Sequence, residues 1–453
     1  MYKRHLLAAF TFGIAAYFAC DTGRAQGVGS TLDGTTPANS STTPSSTLGT
    51  VENYFNRTFT VTGQIRIRVE STQGSDFSVT PADAYTVSRI RLGLAFRPVS
   101  WLRFYGESAD ARAEFYQVTP PSNIDDPIDL RQAYVEVGKL EGNGIRVAVG
   151  RQDFTLGSGR LIAVGDWGND AKTFDVARMT LKTNFANVDV LGGSPVLIDP
   201  TRFDRHKPGE HFYAAYSSFR KLIPNASFEP YFMAKTQLNV KDKENHLGEA
   251  DTLYAGARLI GKLPGRFDYM GEGVRELGSY VDDAINAWGY IAGGGWTVTQ
   301  SGWQPRLSSD YLWASGDSGK KDGFHEGFDC MYGLNQPLNS MTGQFSWHNV
   351  GDWRAGVDFV PSKKFKVKVD YRDYWLATTQ DGLYNSSGTR TVLNTKATSN
   401  HVGEGVDAVF SVFLNRKTTI VTGLGLLRPG AYLTESGKKT GFLYPTISIL
   451  RLL

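Results

Sequence analysis

From Phe59 onward apolar and polar residues alternate with a period of two. "FTVTGQIRIRVE" (59–70) sets Phe59, Val61, Ile65, Ile67 and Val69 against Thr60, Thr62, Gln64, Arg66 and Arg68. "VSRIRLGLAFRPVSWLRFYGE" (87–107) interleaves Ile90, Leu92, Leu94 and Phe96 with Arg89, Arg91 and Arg97, breaks at Pro-Val-Ser, and resumes with Leu102 and Phe104 against Arg103 and Tyr105. "FKVKVDYRDYW" (365–375) repeats the pattern with lysine. Strict alternation over such lengths marks strands with two unlike faces. About eighteen of them follow one another, each of roughly ten residues, the length a tilted strand needs to cross a bilayer. They are predicted to begin near residues 59, 85, 101, 129, 145, 174, 186, 211, 226, 252, 267, 287, 304, 351, 365, 401, 417 and 441.

The connections sort by length. "PVS" (98–100), "TNFA" (183–186), "LIPN" (222–225), "KLPG" (262–265), "PSKK" (361–364) and "LNRK" (414–417) are short, whereas 114–128, 154–173, 195–210, 238–251, 315–350 and 377–400 are long. Tight turns alternating with long loops predict an all-β fold: a transmembrane antiparallel β-barrel, with turns on the periplasmic side and loops outside. Trp101, Phe104, Trp353, Phe359 and Phe365 are placed beside the short turns, as an aromatic girdle. Such a barrel turns its apolar row to lipid and closes on itself to satisfy its backbone. Guanidinium groups then project into a water-filled lumen, charged at any physiological pH.

Composition agrees. The chain of 453 residues is 41% hydrophobic and carries 50 glycines, without an apolar run long enough for a spanning helix beyond its N-terminus. A formal charge of +3 gives no ground for a nucleic-acid partner. Residues 1–25 read as a signal peptide: Lys3, Arg4 and His5, an apolar stretch from Leu6 to Ala19, then Gly23 and Ala25 before a cleavage site. A lipoprotein would lipidate Cys20, but "YFAC" is bulky for that chemistry. After cleavage Cys330 is the sole cysteine, so no intrachain disulfide can form. Residues 26–55 are a Ser/Thr-rich leader too poor in apolar residues to order itself, and 56–453 form the barrel.

With those phases the candidate pore-lining cations are Arg66, Arg68, Arg89, Arg91, Arg103, Arg151, Arg178, Arg354, Lys366, Lys368 and Arg372. Arg146 and Arg258 share that face. Acidic partners are Glu107, Glu136, Asp358 and Asp407, with Glu70 and Asp370. Arg151 is ambiguous: counting from Val147 and Val149 it faces lipid, unless Gly150 marks a bulge that turns it inward. A basic lining attracts anions and speeds their entry. The plainer alternative is that arginines and carboxylates pair across the lumen and stiffen it. Enzyme signatures such as GxSxG, HExxH or a Walker loop are missing. His325 and Cys330 in "FHEGFDC" are too few for a metal centre, so neither metal nor cofactor is expected.

The chain resembles the alginate-export family of outer-membrane barrels. The matching stretches, in order, are "RIRLGLAFRPVSWLRFYGESADAR" (89–112), "DLRQAYVEVG" (129–138), "VAVGRQDFTLGSGRLIA" (147–163), "DWGNDAKTFDVAR" (166–178), "RFDRHKPGEHFYAAY" (202–216), "RLSSDYLWASGD" (306–317) and "LGLLRPGAYL" (424–433). The resemblance implies a monomeric barrel whose arginine-rich constriction passes a polyuronate outward. It further implies pore-lining or loop-ordering roles for Arg89, Arg91, Arg112, Gln132, Glu136, Arg151, Gln152, Asp166, Asp175 and Arg178. Paired acidic residues of the family's sixteenth strand are represented by Gly405 and Asp407, so one carboxylate is missing. "LNRK" is short where the family has a long periplasmic connection, and Pro445 interrupts the last strand, which fits only near a bulge or strand start.

The function expected is an outer-membrane channel for passive transport of anionic solutes, with an acidic polysaccharide such as alginate as the export substrate. Its partners would be outer-membrane lipid, an anionic sugar polymer or oligomer, and periplasmic export machinery. The alternative is a general anion-preferring diffusion porin; a barrel-embedded hydrolase is a distant third.

Overall fold

A computed structural model describes residues 58–453 apart from 75–76, 118–123, 243–244 and 320–321. The predicted signal peptide and leader lie outside the described residues. Eighteen long strands form one antiparallel sheet. They are β1 Phe59–Thr72, β2 Asp83–Val99, β3 Leu102–Glu114, β4 Asp126–Gly138, β5 Gly144–Gln152, β6 Phe174–Lys182, β7 Ala186–Leu197, β8 Glu210–Phe219 and β9 Ala226–Lys241 in the first half. The second half comprises β10 Leu247–Leu263, β11 Phe267–Tyr280, β12 Asp283–Thr297, β13 Arg306–Ala314, β14 Val350–Ser362, β15 Phe365–Trp375, β16 His401–Phe413, β17 Thr418–Pro429 and β18 Phe442–Leu452. Each strand pairs with its chain neighbours, from β1–β2 (Phe59↔Phe96 to Thr72↔Asp83) onward. β18 returns onto β1 over Gln64↔Leu452 to Glu70↔Thr446, which closes the barrel and leaves no edge.

Exposure follows the alternation, inverted relative to a soluble protein. Ile90 and Leu92 are 53% and 54% exposed, while Arg89 and Arg91 between and beside them are 1% and 9% exposed. An apolar row on the outside with guanidinium groups inside is stable only where the outer solvent is hydrocarbon. Pro445 is accommodated where its missing N–H does least harm. The ladder from β18 to β1 stops at Thr446 and resumes only as a single bridge between Leu443 and Gln73.

All eighteen expected strands are present, most starting within three residues of the expected position. The largest displacements are at Leu247 and Asp283, because β10 to β12 are long strands of 17, 14 and 15 residues. The expected long loop 238–251 thereby shrinks to residues 242–246, and β11 turns into β12 through 281–282 alone. The girdle expectation also needs correction. Phe59 stacks on Phe96 (4.8 Å between centroids) and Phe365 on Phe410 (5.9 Å) at the short-turn end. Trp353 instead lies near the long-loop end of β14 and packs against Tyr371 (6.0 Å), close to a second band with Tyr290 and Tyr311. Two aromatic bands, one at each interface, are what a membrane barrel requires.

Candidate functional site

The bore is filled by the chain's own loops on the extracellular side. Segments 153–173 (between β5 and β6) and 315–349 (between β13 and β14) fold inward and meet. Ile162 and Tyr332 form a parallel bridge, with Tyr332 N–H donating to Leu161 O (2.8 Å) and Leu334 N–H to Gly159 O (2.8 Å). Around this bridge Phe154, Phe174, Phe212 and Tyr332 pack edge to face or tilted, with centroids 4.9 to 5.7 Å apart. On the other side Phe345 stacks on Tyr374 (3.7 Å), and Phe328 packs at a tilt against Trp347 (4.9 Å). A dry apolar cluster therefore stands inside a polar barrel, and burial of these rings is what holds the loops in.

Polar side chains of the wall fasten the same loops. Lys235 on β9 donates to Asp329 (2.6 Å), and the Tyr332 hydroxyl donates to Glu210 on β8 (2.8 Å). Lys172 donates to the carbonyls of Tyr332 and Gly333 (3.0 and 2.9 Å), tying one loop to the other. Arg372 donates to Leu338 O (2.8 Å), and Asp407 accepts from Ser340 Oγ and Met341 N–H (3.2 and 3.1 Å). Burial tends to raise the Asp329 carboxyl, but the Lys235 ammonium outweighs it and keeps it below the ordinary carboxylate range. Asp381 in the loop 376–400 behaves likewise: burial would raise it, and His348 (3.2 Å) brings it down to about 2.

The arginine-rich first strands grip the loop tip "DWGND". Arg66 donates to Asp166 O (2.6 Å) and Gly168 O (2.7 Å), Arg68 to Trp167 O (2.6 Å), and Arg89 to Gly168 O and Asn169 O (both 3.2 Å). The Asp166 carboxylate takes ion pairs from both Arg89 and Arg91 (3.0 Å each). Burial pushes that carboxyl up, but Arg89, Arg91 and Arg66 together carry it down to about 2. Because the folded value is depressed, the clamp contributes above the ordinary carboxylate range and is lost only as pH falls through about 2. Arg91 keeps its Nε and Nη2 hydrogens buried without a protein partner.

Below the loops, toward the short turns, a polar cavity remains. It is lined by Arg103, Arg146, Arg178, Tyr134, Glu136 and Asp153 among others. Arg103 pairs with Glu136 (2.5 Å) and lies over the Tyr134 ring (5.8 Å). Arg146 reaches Glu136 at 3.5 Å, and Arg178 pairs with Asp189 (2.8 Å). Arg103 and Arg146 remain 35% and 38% exposed and share one carboxylate, Glu136, with Arg103 also donating to the Tyr134 hydroxyl (3.2 Å).

The other expected residues divide cleanly. Arg354 lies between Asp310 and Asp370, Lys368 pairs with Asp370 (2.9 Å), and Arg372 pairs with Asp352 and Asp407. Asp358 faces Arg306 (3.4 Å), and Glu107 accepts from Tyr105 (2.8 Å) beside Arg131 (3.5 Å). Lys366 is half-buried near the turn that joins β14 and β15. Arg151 is corrected: Gly150 has φ +129, yet the β4 and β6 registers run through it without a shift. Arg151 thus stays in the row of Val149, bonded to Asp175 (2.9 Å) on that outer face. Arg112 also lies outside the lumen, chelated by Asp110 (2.9 Å).

Arg131 escaped the pattern. β4 counts from Val135 to an outward Arg131, but a register shift opposite Glu107 and Ser108 leaves it unpaired and buried at 4% exposure. There it chelates Asp153 (2.9 and 2.7 Å) and donates to Asp170 O (2.6 Å) and Ala171 O (3.1 Å). Lys235, Glu210 and the loop residues Asp166, Trp167 and Asn169 act through contacts more than ninety positions apart, which no local period signals.

A closed barrel of eighteen strands, lipid-facing outside and charged within, defines an outer-membrane channel. Solved structures share the fold: the BenF-like porin of Pseudomonas fluorescens Pf-5 (TM-score 0.58, 10% identity, 87% of this chain and 98% of that one) and the outer membrane protein opdK of Pseudomonas aeruginosa (0.56, 11%, 87% and 98%). OccK11 (OpdR) of Pseudomonas aeruginosa aligns similarly (0.56, 9%, 87% and 96%). The family model for alginate export matches residues 57–442, and the chain belongs to that family. A search of curated proteins finds no match.

Proposed function

We propose that this channel passes anionic solutes passively, and that its substrate is an acidic sugar polymer or oligomer leaving the periplasm. The observation that carries the proposal is the cavity with Arg103, Arg146 and Arg178 at the short-turn end, below a bore filled from the other side. An anionic chain arriving there meets half-exposed guanidinium groups shared by one carboxylate and suited to bidentate carboxylate binding. The orphan N–H groups of Arg91 lie beyond, beside the loop tip that would have to move. Membership of the alginate-export family makes a polyuronate the first candidate. Passage would draw on a gradient or on periplasmic machinery.

The second reading, a diffusion porin with only mild anion preference, draws on the ion pairs that occupy Arg354, Arg372 and Arg178. The two separate in planar bilayers. An oligouronate added on the short-turn side is expected to block current, and Arg103→Ala with Arg146→Ala is expected to weaken that block about tenfold, the worth of one or two charge-assisted contacts. Equal block by a neutral oligosaccharide of the same length would leave the porin reading standing instead.

A further inference from the structure

We propose a calcium site at the extracellular end of the barrel, built by Asp126 and Asp129 of β4, Asp204 of the loop 198–209, and Asp170 and Thr173 of the loop 153–173. One carboxylate oxygen each from Asp126, Asp129 and Asp204 lies within 4.8 Å of the others. Calcium binds oxygen at about 2.3–2.6 Å, so ligands on opposite sides of one ion stand about that far apart. Asp170 and Thr173 line the same small cavity, only 8% and 5% exposed, and Asp170 Oδ2 and Thr173 Oγ1 have no hydrogen-bond partner. A buried acceptor left unsatisfied in this way is costly unless something positive fills the space.

No ion pair among the described residues reaches any of the four carboxylates. Arg131 lines the cavity, but its Nη hydrogens go to Asp153 and to the carbonyls of Asp170, Ala171 and Lys172, and its Nε faces Glu107 (3.5 Å). Arg151 approaches from outside and donates to Asp175 and to the carbonyl of Asp204. Backbone N–H groups do fix the carboxylates in place: Asp204 N–H donates to Asp129 (2.6 Å) and Asp199 N–H to Asp204 (2.8 Å). Oxygen-only donors select a hard cation, and an irregular cage drawn from one strand and two loops suits calcium better than the strict octahedron magnesium demands. Bound there, the ion would join β4 to the loop whose tip Asp166 is held by Arg89 and Arg91.

The test uses chelator-stripped full-length protein in detergent, titrated with CaCl₂ by calorimetry and followed by thermal unfolding. One saturable equivalent is expected, with Kd of about 10⁻⁴ to 10⁻³ M as for extracellular sites, and a rise in Tm. Asp126→Asn with Asp204→Asn should weaken binding at least about tenfold by removing two of the charged ligands, whereas Glu141→Gln, an exposed acid at the opposite, short-turn end of the barrel, should leave it unchanged. Absence of saturable binding in the wild-type protein overturns the site, as does a double variant that binds like wild type. Should the double variant fail to fold, Tb³⁺ luminescence of the wild-type protein decides: displacement of Tb³⁺ by Ca²⁺ at one equivalent supports the site, and no bound Tb³⁺ refutes it. Because the readout is binding in detergent, it is independent of which solute the channel passes.

Discussion

Replacing residues 317–347 by a short glycine-serine linker raises single-channel conductance several-fold in planar bilayers. The ends of this segment are already close, since Asn349 N–H donates to Ser315 O (3.1 Å), so the linker need not disturb β13 or β14. An eighteen-stranded barrel is wide enough for an aqueous channel when nothing fills it. Here Phe328, Met341, Phe345 and Trp347 fill it, each no more than 3% exposed. Their removal also strips Ile162 and Phe174 of packing partners and deprives Lys172 of its two carbonyl acceptors. The second loop keeps its grip through Arg66, Arg89 and Arg91, so the conductance should remain below that of an unobstructed bore. Unchanged conductance would mean that ions take a route other than the one this segment occupies.

The largest stability effect is expected at Arg354. Its guanidinium bridges Asp310 and Asp370 (2.7 Å to the latter) and also donates to Ser308 (3.2 Å), and these side chains are almost wholly enclosed. Truncation to alanine strips Asp310 of its ion pair and leaves Asp370 with Lys368 alone (2.9 Å). Breaking a buried pair by removing one partner costs about 3–5 kcal/mol. Urea unfolding of the protein in lipid vesicles should show that loss. Arg354→Lys should recover part of it, because an ammonium restores the charge but cannot reach both acids in the fork geometry.

Most of the barrel was legible in the sequence because the bilayer imposes its period on every strand. Ile65 to Val69 and Ile90 to Phe96 must face hydrocarbon, which fixes the phase of the arginines between them. Where local geometry breaks the period, the pattern misleads. The irregular register beside Arg131 buries a residue that the period through Val135 would place outward, while at Gly150, where the sequence left a bulge open, the register runs unbroken. The plug was not legible. "FTLGSGRLIAVGDWGND" has the look of a solvent-exposed loop, and only tertiary contact with Phe212, Tyr332 and the arginine ladder shows it to be interior. That contact also changes what the ladder means. Arg66, Arg68 and Arg89 hold backbone carbonyls of the loop tip, so their first role in this conformation is to retain the loop.

The meeting of the two loops inside the bore is tested most directly by a cross-link. Ile162→Cys and Tyr332→Cys, in a Cys330→Ser background, place thiols on the two partners of the parallel bridge. Mild oxidation of the protein in outer-membrane vesicles is predicted to join them nearly quantitatively, visible as a mobility shift reversed by reductant, with the barrel still resistant to unfolding in detergent. If the barrel forms and both thiols stay free while each is readily labelled by a water-soluble maleimide, the loops do not meet in the lumen and the channel is open.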